Sequence, residues 1–306
     1  MTPKELSSYI KSEALRLGFA VCGIAKAEAV APEDCSFTES WVAEGKNGQM
    51  SYLERNTEKR NNPQLLVPGC NSIVCVALNY NPKAYDENKL HLSRYAQGED
   101  YHKVVKDKLY MLMRKINEIK PVKGRAFCDS APLLERYWAQ KAGLGWIGKN
   151  HQLIIPNAGT YFFLGELLID AVTEYDNPYI ENHCGHCEAC IDNCPTLALG
   201  RNGFDARRCL AYLTIEHREE LPEGIGEKMG KCFYGCDRCQ TACPHNRFAK
   251  PTETIQFTPK QTLLAMNDKD WTILTREQYD NIFANSAVDY CGYEQLKRNI
   301  KAIIKK

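Results

Sequence analysis

Fifteen cysteines in a chain of 306 residues constrain its chemistry most, and nine of them fall between Cys184 and Cys243. Cys184, Cys187, Cys190, Cys194 and Pro195 fit C-x2-C-x2-C-x3-C-P, the bacterial ferredoxin spacing. In that spacing three thiolates hold one [4Fe–4S] cube, and the fourth turns away to a second. A second run, Cys236, Cys239, Cys243 and Pro244, reads C-x2-C-x3-C-P, with Phe233 where its own first cysteine would stand. Counting ligands gives an exchanged arrangement. Cys184, Cys187, Cys190 and Cys243 take one cube; Cys194, Cys236, Cys239 and either Cys209 or Cys232 take the other. Spacing leaves that last choice open. A zinc site more often uses two separated C-x2-C knuckles, and disulfides need Cα separations that such close spacing rarely offers.

The remaining cysteines, Cys22, Cys35, Cys70, Cys75, Cys128 and Cys291, read as small apolar residues of the interior. His183, His186, His217 and His245 lie near the runs in sequence. Four thiolates already satisfy each cube, so these imidazoles read as outer neighbours. Thirty-nine Lys and Arg against 38 Asp and Glu leave a net charge of +1, so a nucleic-acid surface must be local. No apolar run reaches the roughly 18 residues of a membrane span. The start, Met1-Thr2-Pro3-Lys4-Glu5-Leu6, has no export pattern, which points to a reducing cytoplasm.

Elements that could position this chemistry follow from periodicity. Thr2-Pro3-Lys4-Glu5 forms a capping box, and Leu6, Ile10, Ala14 and Leu17 continue one helical face to Gly18. Phe19–Ala25, Ser72–Leu78, Arg125–Cys128 and parts of Leu153–Ile169 read as strands; Tyr101–Lys120 and Ala131–Ala142 read as helices. Strands alternating with helices over about 170 residues suggest an α/β (α+β) domain. Composition changes abruptly near 176–183, which places the boundaries at 1–178, 179–255 for a two-cluster ferredoxin-like domain, and 256–306 for C-terminal helices.

Two clusters make a wire, and something must receive the electrons. No G-x-G-x-x-G follows a strand, and Gly143-Leu-Gly145-Trp-Ile-Gly148-Lys149 lacks Walker spacing, which argues against dinucleotide and nucleotide sites.

Further segments carry a resemblance over nearly the whole chain. They are Met50-Ser51-Tyr52-Leu53 with Arg60; Arg94-Tyr95-Ala96 and Asp100-Tyr101-His102; Asp129 through Arg136; Gly143 through Asn150; and Arg208-Cys209 through Glu216. With the two cysteine runs, these resemble the epoxyqueuosine reductases, cobalamin and iron–sulfur enzymes of tRNA queuosine synthesis. The resemblance implies that residues 1–178 form a cobalamin-binding catalytic domain, and that Cys209 is the isolated ligand of the second cluster. It places the proton donor on Asp129, and cobalamin contacts on Arg60, Tyr95, Asp129, Lys149, Asn150, His151 and Thr214. A carboxyl near an apolar corrin would have its neutral form favoured and could then donate a proton. Without the resemblance, Asp129 or Ser130 reads as the N-cap of the following helix.

The expected activity is reduction of epoxyqueuosine to queuosine at the tRNA wobble position. The partners implied are a tRNA anticodon loop and an external electron donor, with the protein a monomer and no membrane involved. Arg201, Arg207, Arg208 and the basic C-terminal helix are the candidate RNA surface. Many relatives continue into helical repeats after Arg298-Asn299, and Tyr290 stands where a basic residue is common. A reductive dehalogenase shares the layout but usually carries an export signal; a plain two-cluster electron carrier would hold no cobalt.

Overall fold

The computed structural model describes residues 1–83, 85–200 and 203–305. Helix α1 (Pro3–Arg16) starts on the expected capping box: the Thr2 hydroxyl accepts the Glu5 N–H, and the Glu5 carboxylate accepts the Thr2 N–H at 2.7 Å. Strands β1 (Val21–Lys26), β2 (Ser72–Asn79), β3 (Gly124–Phe127) and β4 (Phe162–Ile169) form one sheet in the order β1-β2-β4-β3. Every pairing in it is antiparallel. Alternation along the chain does not fix strand direction, so the α+β description applies and parallel layering does not.

The two faces of the sheet are covered differently. Helix α1 and helix α2 (Tyr101–Ile119) bury Leu6, Ile10, Val105, Leu109 and Leu112 against Val74, Val76 and Leu167. The short helix α3 (Glu135–Lys141) packs Trp138 and Ala139 on the opposite face against Ile73, Cys75 and Leu168. Helix α3 begins four residues later than periodicity alone predicts. Pro132 disfavours helical backbone at Ala131. Residues 128–135 instead form tight turns, with Ser130 N donating to Cys128 O at 2.7 Å and Leu133 N to Ala131 O at 2.8 Å.

A second core unites Leu210, Leu213, Phe233, Trp271, Tyr279 and Leu296 with Leu90, Leu92 and Ala96 from the first half of the chain. The two-residue strand His91–Leu92 lies parallel to Cys232–Tyr234. Trp41 stacks on Phe204 with ring centres 6.2 Å apart, and its indole N–H donates to Phe204 O at 2.6 Å. Between the cores, the helices of the cysteine-rich segment, Ala189–Asp192 and Arg238–Thr241, are single turns.

Candidate active site and cluster ligands

Cys184, Cys187, Cys190 and Cys243 line one cavity with Lys149, Asn150 and His245. Lys149 Nζ donates to Gly185 O at 2.8 Å and Cys187 O at 3.0 Å, which holds the loop carrying two of the thiols. Trp146 packs with Cys243 and Cys184, and its indole N–H is buried without a partner. The imidazoles of His183 and His245 stand edge-on to it at 4.9 Å. An orphaned buried donor is costly, and an inorganic sulfide among these thiols would give it an acceptor. Among the described residues no three Cys, His, Asp or Glu side chains converge on a single-ion position. Thiols spread around a cavity suit a cube, whose irons bind at separate corners. The residues therefore fit a [4Fe–4S] group.

The other thiols form a second set. Cys209 neighbours Cys194, Cys236 and Cys239; burial first, and adjacent thiols after it, push Cys236 up to about 12 and raise Cys209 and Cys239 as well. Cys232 also adjoins Cys236, but its thiol donates to Tyr234 O at 3.3 Å and Gly235 O at 3.6 Å. The two sets approach each other where Cys190 neighbours Cys239. Asn150 lies at the first cavity and its side-chain amide donates to Cys239 O at 3.4 Å. Cys187 is exposed, whereas Cys194, Cys209, Cys236 and Cys239 are half-buried.

Asp129 follows β3 on a turn with φ of +59°, a left-handed conformation that non-glycine residues seldom adopt. Its side chain is 59% exposed, with Tyr101, His102 and Arg136 among its neighbours. The Tyr101 hydroxyl donates to its carboxylate, and His102 Nε2 lies 3.3 Å from the same oxygen. His102 Nδ1 in turn meets Asp100 at 2.7 Å. Burial pushes Asp129 up, but hydrogen bonds from His102 and Tyr101 outweigh it and hold it below the ordinary carboxylate range. For His102, burial works against the charged form, and the two flanking carboxylates outweigh it, pushing it up to about 9. With the site open, Asp129 is thus held below and His102 above its ordinary range. The capping role is overturned, because Leu134 is the N-cap of α3 and supplies no side-chain bond.

The other predicted contacts divide. His151, also at φ +59°, packs on Phe204 at 5.4 Å, and its carbonyl accepts from Arg136. Burial, helped by Arg136, pulls its imidazole down to about 4. Tyr95 is packed among the rings of Tyr101, Phe163 and Tyr234. Lys149 and Asn150 stand at the first thiol set, as described. Arg60 is 6% exposed and spends its guanidinium on the carbonyls of Tyr52, Leu53 and Arg55, so it braces the loop behind Tyr52. Thr214 is fully buried; its hydroxyl donates to Leu210 O and accepts the Gly235 N–H at 2.9 Å.

Residues quoted from the sequence without an assigned contact also stand near Asp129. Tyr52 is 45% exposed and faces Glu216, Asp129 and Tyr290, and the Tyr290 hydroxyl donates to Glu216 at 2.9 Å. This wall of rings and polar tips suits a broad, flat, amphipathic macrocycle such as a corrin. Tyr101 and His102 open α2 directly after its N-cap Asp100, and the segment Asp100-Tyr101-His102 is the signal that could have given them a role. Glu166 carried a plainer signal: a carboxyl in the middle of the apolar strand Phe162–Ile169.

The basic C-terminal helix Gly292–Ile304 is less available than its composition suggests. Lys297 Nζ donates to Leu274 O, and the Arg298 guanidinium donates to the carbonyls of Leu213, His217 and Glu219. Lys301, Lys305 and Arg208 are exposed; Arg207 pairs with Asp205 at 2.8 Å. Arg201 and Lys306 lie outside the described residues. No helix among the described residues is long and apolar enough to cross a membrane.

Comparison with known proteins converges on one family. Residues 60–130 match the family profile described as "Epoxyqueuosine reductase QueG, DUF1730", and residues 183–246 match a "4Fe-4S double cluster binding domain". The epoxyqueuosine reductase of Cellulophaga algicola is 43% identical over 302 residues, covering 98% of each chain. That of Pseudomonas aeruginosa is 38% identical over 97% of this chain and 84% of its own. A crystal structure of an epoxyqueuosine reductase with an epoxyqueuosine-modified tRNA-Tyr stem loop superimposes with a TM-score of 0.87 at 27% identity, over 98% of this chain and 81% of that one. The chain belongs to the epoxyqueuosine reductase family.

Proposed function

We propose that the protein reduces epoxyqueuosine to queuosine at the wobble position of tRNA, with Asp129 delivering a proton to the departing epoxide oxygen. The observation that carries this reading is the exposed carboxylate of Asp129, which accepts from the Tyr101 hydroxyl and lies 3.3 Å from His102 Nε2. Opening the epoxide to an alkene consumes two electrons and two protons and releases the oxygen as water. Two [4Fe–4S] clusters, on Cys184, Cys187, Cys190 and Cys243 and on Cys194, Cys209, Cys236 and Cys239, supply one-electron carriers. A cobalamin beside Asp129 would supply a strongly reducing cobalt. Asp129, His151 and Tyr52 would hold it, with Tyr95 and Arg60 behind them.

The chain's own groups manage the protons. Covering Asp129 strips water from its carboxylate and favours the neutral form, which draws the proton across from His102. Tyr101 and His102 engage the same carboxylate oxygen, Oδ2, which leaves Oδ1 for the substrate. Asp100, 37% exposed, connects His102 to solvent for the second proton. The exposed Cys187 marks the side from which an external donor feeds electrons. Lys301, Lys305 and Arg208 offer a local basic surface to the tRNA anticodon loop, whose bases can splay outward. The corresponding units are residues 1–178, 179–255 and 256–306, acting as a cytoplasmic monomer. Incubating anaerobically reduced protein with a stem loop bearing epoxyqueuosine, then analysing nucleosides by mass spectrometry, tests the reading. Loss of one oxygen from the modified base is expected. No conversion by protein holding about eight iron and one cobalt would overturn it.

A further inference from the structure

Glu166 is fully buried in the central strand β4, opposite Cys75 of β2 and Phe127 of β3. It projects to the α3 face of the sheet, with Leu164 and Leu168. Neither of its carboxyl oxygens meets a nitrogen or hydroxyl donor. What faces it is the carboxyl of Glu135, the first residue of α3. Glu135 on its other side accepts the backbone N–H of Asp129. Two carboxylates meeting out of water repel, and the contact becomes attractive only when a proton lies between them.

We propose that Glu166 and Glu135 share a proton and act as positioning residues: the pair holds the 128–135 turn so that Asp129 keeps its left-handed backbone and its exposed carboxylate. The role rests on the reading of Asp129 as the proton-delivering group. A left-handed backbone is strained for a non-glycine residue and persists only where its surroundings compensate. Here the compensation is the bond from the Asp129 N–H to Glu135, and Glu135 is itself steered by Glu166. The groups that face the pair are Asp129 on the turn, Arg136 on α3, Cys75 on β2, Cys128 at the end of β3 and Tyr101 on α2. Only Arg136 is cationic, and it lies at the outer, Glu135 side. Burial accordingly raises both acids: Glu135, helped by the charge of Asp129, to about 7, and Glu166, helped by Glu135, well above its ordinary value, while the bond with Glu166 favours the charged form of Glu135. Losing the shared proton places a second negative charge in the sheet interior, beside Asp129, and drives Glu135 away from the turn.

Amide hydrogen exchange on the intact, cofactor-loaded protein reads this without substrate. Protection at residues 128–135, corrected for the intrinsic pH dependence, is expected to fall between about pH 6 and 9, approaching tenfold per pH unit above the pair's titration. Glu166→Gln keeps shape and an N–H for Glu135 but has no proton to lose, so its protection should stay flat over that range. Glu135→Gln should be flat as well. Flat protection in the wild type, or the wild-type slope in Glu166→Gln, overturns the proposal. The experiment involves no turnover, so an inactive enzyme with a titrating turn would sink the assigned reaction and leave this inference standing.

Discussion

The sheet region and the cysteine-rich region hold their functional groups by opposite means. Around β1–β4, side chains such as Leu6, Val76, Leu109 and Leu167 are fully buried, and this packing would set the turn after β3 whether or not a cofactor is bound. Between Ala189 and Thr241 the α-helices run only four to six residues, and the orphaned Trp146 N–H beside Cys243 has nothing in the protein to bond. Such a segment draws its order from the metal it binds, because ligand bonds formed only in the folded state become folding free energy. The first region is a scaffold with a site added; in the second, the site is the scaffold.

The largest effect should come from breaking the second region at one ligand. Cys209→Ala is expected to lose about half of about eight iron atoms and all turnover, with Cys232→Ala retaining them. Iron loss in the Cys232 variant alone would reverse that assignment. In the sheet region, by contrast, Asp129→Asn should keep iron, cobalamin and fold while single-turnover rates fall by about 10²–10⁴. Near-normal rates from chemically reduced Asp129→Asn would remove its proton-delivering role.

A smaller change follows from His102. Its folded pKa of about 9 lies above its ordinary 6.5, so its charged form stabilises the fold fully below pH 6.5. That contribution is lost as pH rises through about 9. Activity should decline over the same alkaline window, and His102→Gln should abolish that titration, as a pH–rate profile would reveal. Arg298→Ala leaves three carbonyls unpartnered and should lower stability by about 1–3 kcal/mol in denaturant unfolding, without loss of iron. Least of all, Lys301→Ala should reduce the salt dependence of tRNA binding by less than one unit of slope, as befits a single phosphate contact. The same slope change in Lys297→Ala would show that its bond to Leu274 O breaks on RNA.

The sequence made the cysteines legible because cube geometry demands fixed spacing, and Phe233 at a vacant ligand place announced that a thiol outside the run, Cys209 or Cys232, must serve. Strand and helix periods were equally plain from Ser72 to Leu78 and from Tyr101 to Lys120. Strand direction was not, since periodicity carries no information about which way a neighbour runs. The His102–Asp129 contact spans two elements, so no local pattern could disclose where the proton rests. Arg298 misled for a related reason: its charge is visible in the sequence, whereas the carbonyls of Leu213, His217 and Glu219 that absorb it appear only once the helix has docked.

The parallel pairing of His91–Leu92 with Cys232–Tyr234 also governs the order of events during synthesis. At about 5–20 residues per second, the partner strand emerges roughly ten seconds after the first, because about 140 residues separate them. Through that interval Leu90, Leu92 and Ala96 have no second core to enter. The sheet can collapse on its own apolar faces meanwhile, leaving a nascent chain with one finished half and one tethered apolar loop. The cysteine runs of residues 184–243 emerge together with that loop's partner strand, so the second core and the cluster ligands become available in the same stretch of synthesis.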